Sequence, residues 1–549
     1  MEMSSITAFL LTAALLGADS KPPAARIFEI PGEVSPQGKI DQLVLARLSQ
    51  AGIQPAGLCS DAVFVRRVYL DVIGTLPTAR EAREFLRDET PDKRRVLIDR
   101  LLERDEFADY WAMKWSDVLR VKAEFPINLW PNAAQAYHRW IRTSLRENLP
   151  YDQFVRELLT ANGSNFRVGQ VNFYRAVQNK TPEGIAQAVA LTFLGTRADK
   201  WPKERLEGMA AFFEQISFKA TTEWKEEIVA FDADKAAAGD AATTPTFPDG
   251  TRAQLSPGQD PRQVFADWLI TAENPWFARN IANRVWSWLL GRGIVHEPDD
   301  IRPDNPPSNP ELLAYLEQQV VEKKYDLKEL FRLILNSHTY QLSSVARSDQ
   351  PEAAALFAHY PLRRLEAEVL IDALNQITGT TEQYSSPIPE PFTFIPEGQR
   401  SIALPDGSIT SPFLEQFGRP SRDTGLESER SNRPTAGQRL HLLNSSHIQR
   451  KIENSPALQA LFASAAPQSA GKFNKNRKPT KFKPSAAADD AKQPGEIVNA
   501  LYLTILSRFP TQDELDTVAA YVQSAASRRE AGVDLAWALI NSAEFLYRH

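Results

Sequence analysis

Tyr69-Leu70-Asp71-Val72-Ile73-Gly74-Thr75-Leu76-Pro77-Thr78-Ala79-Arg80-Glu81 is the stretch on which the reading of this chain turns. An apolar helical run is stopped by glycine and proline, then restarted by a Thr-x-x-Glu capping box. In such a box the hydroxyl accepts from first-turn N–H groups and the carboxylate reaches back to the cap N–H. The pattern returns near the C-terminus as Tyr502-Leu503-Thr504-Ile505-Leu506-Ser507-Arg508-Phe509-Pro510-Thr511, with Glu514 closing the second box. Each copy later reaches a helix ending in Glu-Phe, at Glu106-Phe107 and Glu544-Phe545. Two helical hairpins of one kind, one early and one late, predict an all-α protein whose chain ends pack near related elements.

Working outward from the first copy, apolar residues recur at three- and four-residue spacing from Ile40 to about Ala230, for example Val96, Leu97, Leu101, Leu102 and Phe107. That period predicts helix throughout, and alternating runs suited to half-buried strands are nearly absent. Residues 232–260 shift to Ala, Thr, Pro, Gly and Asp and read as a linker or surface excursion. A second helical block, 261–549, begins at Pro261, and 381–412 within it reads as an irregular loop. Residues 465–495 lack apolar periodicity, and between Gly471 and Pro484 they carry Lys472, Lys475, Arg477, Lys478, Lys481 and Lys483 and no acidic residue. They read as a disordered, solvated insertion, the sharper alternative being a basic arm for an anionic polymer. The expected organisation is a signal-like segment at 1–20, a helical domain at 38–231, the linker, and the second helical domain.

Composition narrows the function. The chain has 549 residues, 63 Lys+Arg against 69 Asp+Glu and a net charge of −6, which argues against nucleic acid as the main partner. Proline outnumbers glycine, 38 to 25, consistent with rigid connections between helices. Cys59 is the single cysteine, so neither an intramolecular disulfide, a cysteine-paired zinc site nor a Cys-x-x-Cys-His haem anchor is available. The run Ile6 to Gly17 has the length of a signal-peptide core and is too short to span a bilayer. Its n-region carries Glu2 and no Lys or Arg, with cleavage expected near Ala18 or Ser20. The mature chain is therefore expected to be exported, periplasmic or extracellular, without a stable membrane span.

The chemistry-bearing motifs are sparse. The seven histidines form no His-Glu-x-x-His and no i, i+4 pair, and His441 and His447 would share a metal only if the chain turned between them. Neither a Gly-x-Ser-x-Gly elbow nor a phosphate-binding glycine loop occurs. Three polar-dense stretches supply the candidate binding residues. They are Asn280, Asn283 and Arg284 on one helix face; Asp299, Asp300 and Asn305 in a proline-rich loop; and Glu429 and Arg430 before a later helix. Carboxylates beside arginines suit acid–base work or sugar binding, and equally suit buried ion pairs that fix a loop. No metal ligand and no catalytic residue is assigned.

The stretch from Phe64-Val-Arg66-Arg67 to Thr78, followed by Asp92-Lys93-Arg94 and Tyr110-Trp111-x-x-x-Trp115, resembles domain of unknown function 1549, a planctomycete module. Asn274-Pro-Trp-Phe277, Asn283-Arg284-Val-Trp286, Arg302-Pro-Asp304-Asn305-Pro306-Pro307, Arg363-Arg364-Leu-Glu366-Ala-Glu368 and Glu429-Arg430-Ser431 resemble its companion, domain of unknown function 1553. The resemblance implies that relatives carry Cys-x-x-Cys-His after Gly195 and a second cysteine pair just before Glu-Arg-Ser. Here Gly195-Thr-Arg197-Ala-Asp199-Lys200-Trp201 runs straight through, and the later positions are Leu426 and Ser428. A c-type haem needs thioether cysteines and an axial histidine, so a chain without them is expected to carry no haem or other cofactor. The leading expectation is a non-catalytic exported scaffold or accessory binding protein for an extracytoplasmic protein or polysaccharide. The alternatives are a hydrolase or lyase of acidic polysaccharide using Asp299, Asp300 or Glu429 with Arg430, and a haem-less docking partner in electron transfer.

Overall fold

The helix Asp61–Ile73 starts where Ser60 Oγ accepts the Val63 N–H and stops at Gly74, whose φ of 58° only glycine adopts without strain. A Cβ there would lie 2.5 Å from the Tyr110 ring, so the turn also needs the missing side chain. Helix Ala79–Arg87 then begins with the reciprocal pair of the capping box, Thr78 N–H to Glu81 Oε2 at 2.8 Å and Glu81 N–H to Thr78 Oγ1 at 3.2 Å. The late copy repeats this geometry: Ser507 takes φ 61° where Gly74 stands, and Thr511 caps Gln512–Ser524 through Glu514.

Each copy is closed by one arginine. Arg104 pairs with Glu81 at 2.9 Å and with both oxygens of Glu106. Arg508 pairs with both oxygens of Glu514 and of Glu544 at 2.6–2.8 Å. The Glu of each Glu-Phe pair thus meets the capping Glu of its own hairpin across a guanidinium. The early and late hairpins also touch: Arg66 donates to the carbonyls of Ile505 and Phe545, both at 2.8 Å.

This architecture is that of a computed structural model that describes residues 27–124, 129–232, 244–463 and 494–549. The signal-like segment and nearly all of the basic insertion lie outside these residues. The described residues are mainly α-helical, with small sheets only. One expectation is corrected: the supposedly helical stretch before Ala230 contains an antiparallel hairpin, Ile216–Ala220 with Glu227–Phe231, joined on its other edge by Gly163–Ser164. The strands are only five residues long, too short for alternation to outweigh the helical pattern around them, and Val229 buries one face of the sheet.

The described part of the segment read as a linker, 244–260, folds back on the first half. Thr246 N–H donates to the Gly208 carbonyl, and Phe247 stacks between Phe212 and Trp268 at 4.9 Å from each. Residues of both halves share one apolar core in which Trp288 packs on Trp111 (5.3 Å) and Trp115 (5.5 Å). Among the described residues no helix is long and apolar enough to cross a membrane.

Candidate functional site

Helix Phe277–Leu290 is buried at every position except Arg279, ending at Gly291 with φ 71°. Its polar residues therefore have to be satisfied inside the protein. Asn280 Nδ2 donates to the Thr192 carbonyl at 2.9 Å, in the last turn of a π-helical segment, Ala190–Leu194, where helix carbonyls lack an intrahelical partner. Asn283 exchanges two hydrogen bonds with the backbone of Val295 at 2.9 and 3.0 Å. Arg284 donates to Asp299 Oδ1 at 2.9 Å, and the other oxygen of Asp299 accepts the Glu427 N–H at 2.6 Å. These four candidates come together, and what they do is fasten the 190–194 turn, the 295–299 loop and, through Asp299, the Glu427 segment to one helix.

Glu427, not singled out by the sequence, sits beside the Arg284–Asp299 pair. Its carboxylate accepts the Trp288 indole N–H at 3.0 Å and lies 3.9 Å from Arg284. Burial pushes its carboxyl up, against the charges of Lys114 and Arg284.

Glu429 and Arg430, neighbours in sequence, face different surroundings. Glu429 braces its own loop, accepting from Ser421 Oγ, from the Asp423 and Thr424 N–H groups and from Thr424 Oγ1. Arg430 enters a buried network, 2.7 Å from Asp117 and 2.7 Å from Glu368, which Arg419 and Arg422 also reach. Burial opposes the Glu368 charge, but Arg430 and Arg419 hold the carboxyl down at about 2. A parallel network binds Lys114 and Arg548 to Glu366, and Arg548 to Asp71, which accepts the hydroxyls of Tyr340 and Tyr360. Arg363-Arg364-Leu-Glu366-Ala-Glu368, read as interhelical ion pairing, is part of this layer.

Asp300 and Asn305 are the two candidates that reach an open surface. Asn305 Nδ2 holds the Asp300 carbonyl at 2.9 Å, and the Asp300 carboxylate meets Arg302 at 3.1 Å. Both residues line a cleft of about 660 Å³ between the proline-rich loop and residues 196–205. Trp201 and Trp276 form part of its wall, with the Arg205 guanidinium 3.9 Å from the first ring and 6.0 Å from the second. Of the cleft's cations, Arg279 is paired outward with Glu317 at 2.7 Å, and Arg302 also reaches Asp304 at 3.2 Å. Arg197 and Lys200 make no ion pair among the described residues. Asn280, Arg284, Asp300 and Arg430 thus do not share one cleft. Trp276 stood in the Asn274-Pro-Trp-Phe motif, whereas nothing local in the sequence marks Arg205.

The chain does turn between His441 and His447, at Ser445, which caps Ser446–Glu453. The two rings lie 6.0 Å apart, but the carboxylate beside them, Glu382, is shared by His447 at 3.0 Å and Lys451 at 3.2 Å. Among the described residues no three His, Cys, Asp or Glu side chains gather as a metal site.

Residues 197–200 also border a second cleft of about 440 Å³, and Thr424 and Leu426 form part of its far wall. The two stretches at which the chain departs from the family pattern therefore lie across one space. Their side chains present arginine, aspartate, lysine and leucine, a donor set with neither thioether cysteine nor imidazole, which does not fit a c-type haem.

Residues 39–217 match a family model described as PSCyt2, protein of unknown function (DUF1549), and residues 261–522 match PSD1, protein of unknown function (DUF1553). No curated protein and no solved structure matches the chain.

Proposed function

We propose that this chain, a DUF1549 plus DUF1553 protein, is an exported binding protein that holds a polysaccharide segment in the cleft beside Trp201 and Trp276 and performs no chemistry on it. One contrast carries this reading. Asp299, Glu429, Arg430 and Glu368 are committed to core or loop-bracing contacts, while the open cleft offers tryptophan rings, prolines and cations. Flat apolar rings flanked by hydrogen-bond donors suit sugar faces and hydroxyls. The carboxylates of the cleft, Asp300 and Asp304, both close on Arg302, an arrangement that anchors a loop.

Binding of soluble glycans to the full mature chain, followed by affinity electrophoresis and calorimetry, tests the reading. Wild-type protein is expected to bind at least one glycan class. Trp201→Ala and Trp276→Ala are each expected to weaken that binding by about 5- to 10-fold, the order of one lost aromatic contact. Unchanged binding in both variants would remove the cleft from consideration.

A further inference from the structure

The second cleft lies between helix Pro182–Val189, residues 197–200 and Thr424–Leu426, and shares Arg197 and Lys200 with the first as a common wall. Arg120 lines it and is only 6 % exposed. Its Nε donates to the Thr424 carbonyl at 3.0 Å and Nη1 to the Val118 carbonyl at 3.4 Å, and no carboxylate pairs with it among the described residues. Other buried guanidinium groups, such as Arg262, Arg284, Arg430 and Arg548, each have a carboxylate within 3 Å. Arg66 and Arg364 also make hydrogen bonds to carbonyls and no ion pair among the described residues, but neither lines either cleft. A buried cation without a counter-ion is costly, and the cost falls when an anion arrives.

The wall is shaped to keep Arg120 in place. Gly425 has φ 74°, and a Cβ on it would lie 2.8 Å from the Arg120 Cζ and 2.7 Å from the Val118 carbonyl. Arg197 adds a second unmatched cation: its Nε is buried without a hydrogen-bond partner. Lys200 adds a third, and among the described residues Asp199 is the only carboxylate on the lining. Asn179 and Gln187 contribute amide groups beside them. Burial lowers Arg120 to about 10, so it remains charged at neutral pH.

We propose that this second cleft is an oxyanion subsite: Arg120, Arg197 and Lys200 receive a carboxylate or sulfate-ester group borne by the polymer that occupies the neighbouring cleft. The guanidinium fork of Arg197 suits both groups, since each offers two oxygens at the right spacing. The inference rests on the reading of the first cleft as a glycan site and adds the ligand's charge and its second point of contact.

The test compares a sulfated glucan, a polygalacturonate and an uncharged β-glucan of matched length, bound to full-length wild type, Arg197→Gln, Lys200→Gln and Trp201→Ala. Circular dichroism melts check that each variant folds; Lys200 is exposed, so its variant stands even if the arginine variant misfolds. Wild type is expected to bind at least one anionic polymer 10-fold or more tighter than the uncharged one, with that preference shrinking as salt rises. Arg197→Gln and Lys200→Gln are expected to bring the anionic polymer close to the uncharged level, read as the ratio of the two affinities within each variant because both residues also border the first cleft. Which anionic polymer responds tells carboxylate from sulfate ester. Equal affinity for charged and uncharged polymers, or lysine and arginine variants that bind as wild type while Trp201→Ala does not, overturns the oxyanion subsite and leaves the glycan reading intact. If wild type binds none of the three, both fall together.

Discussion

Arg284 and Asp299 meet at 2.9 Å inside the core, where neither side chain is more than 1 % exposed. The pair joins the long buried helix to the loop that also forms the cleft, so it sets where Asp300 points without touching a ligand itself.

Removing one member of that pair leaves the other charge buried and unmatched. Arg284→Met is therefore expected to cost about 3–5 kcal/mol of stability, measured by urea unfolding. Arg284→Met with Asp299→Leu should recover part of that loss, because both charges are then gone. A single variant as stable as wild type would show that the pair is not desolvated as described.

The two hairpins predict substitutions of opposite sign. Gly74→Ala forces a Cβ to within 2.5 Å of the buried Tyr110 ring at φ 58° and should cost about 2–4 kcal/mol. Ser507 sits at φ 61° with its hydroxyl buried and unbonded, so Ser507→Gly should gain about 0.5–1 kcal/mol once the looser unfolded chain is counted. Thermal melts of the two variants, moving in opposite directions, are the readout.

His138 is buried, and burial together with the charges of Arg422 and Arg142 lowers it to about 3. The folded state thus refuses a proton that the unfolded chain takes up near pH 6.5. Its contribution is complete above that pH and is lost as pH falls toward 3, at about 1.4 kcal/mol per unit across the window. His138→Leu is expected to flatten the fall in urea midpoint between pH 6.5 and 4. Parallel curves for both proteins would contradict this.

The cleft carboxylates test catalysis directly. If the protein only binds, Asp300→Asn and Asp304→Asn free Arg302 and should tighten anionic polymer binding by a few fold, and wild type should release no new reducing ends or unsaturated products. Turnover by wild type that vanishes in Asp300→Asn would replace the binding role with an enzymatic one.

Gly425→Ala offers a check from the far wall of the second cleft. The added methyl would displace Arg120, so anionic polymer affinity should drop while Trp201-dependent binding of an uncharged polymer persists. Fluorescence titration separates the two effects.

Part of the candidate site was legible in the sequence. The loop bearing Asp299, Asp300 and Asn305 is next to the cleft, and the Gly195–Trp201 stretch, noticed only for the cysteines it lacks, supplies its opposite side. Asp299 and Asp300 look alike in sequence, yet one accepts the Glu427 N–H 128 positions away inside the core and the other faces the cleft. Glu427, Arg205 and Arg120 carry no local signal, because their roles depend on partners brought in by folding.

The amino-acid sequence alone determined the helical class, the paired hairpins with their capping boxes and the unsuitability for c-type haem, because caps, stops and ligand motifs act within a few residues or are a matter of composition. Only the tertiary structure decided which charges are neutralised and which stay open. Arg430 acquires Asp117 and Glu368 from distant helices, whereas Arg120 and Arg197 make no ion pair among the described residues. Coulomb attraction and desolvation depend on distances in space, and the order of residues along the chain does not specify those distances.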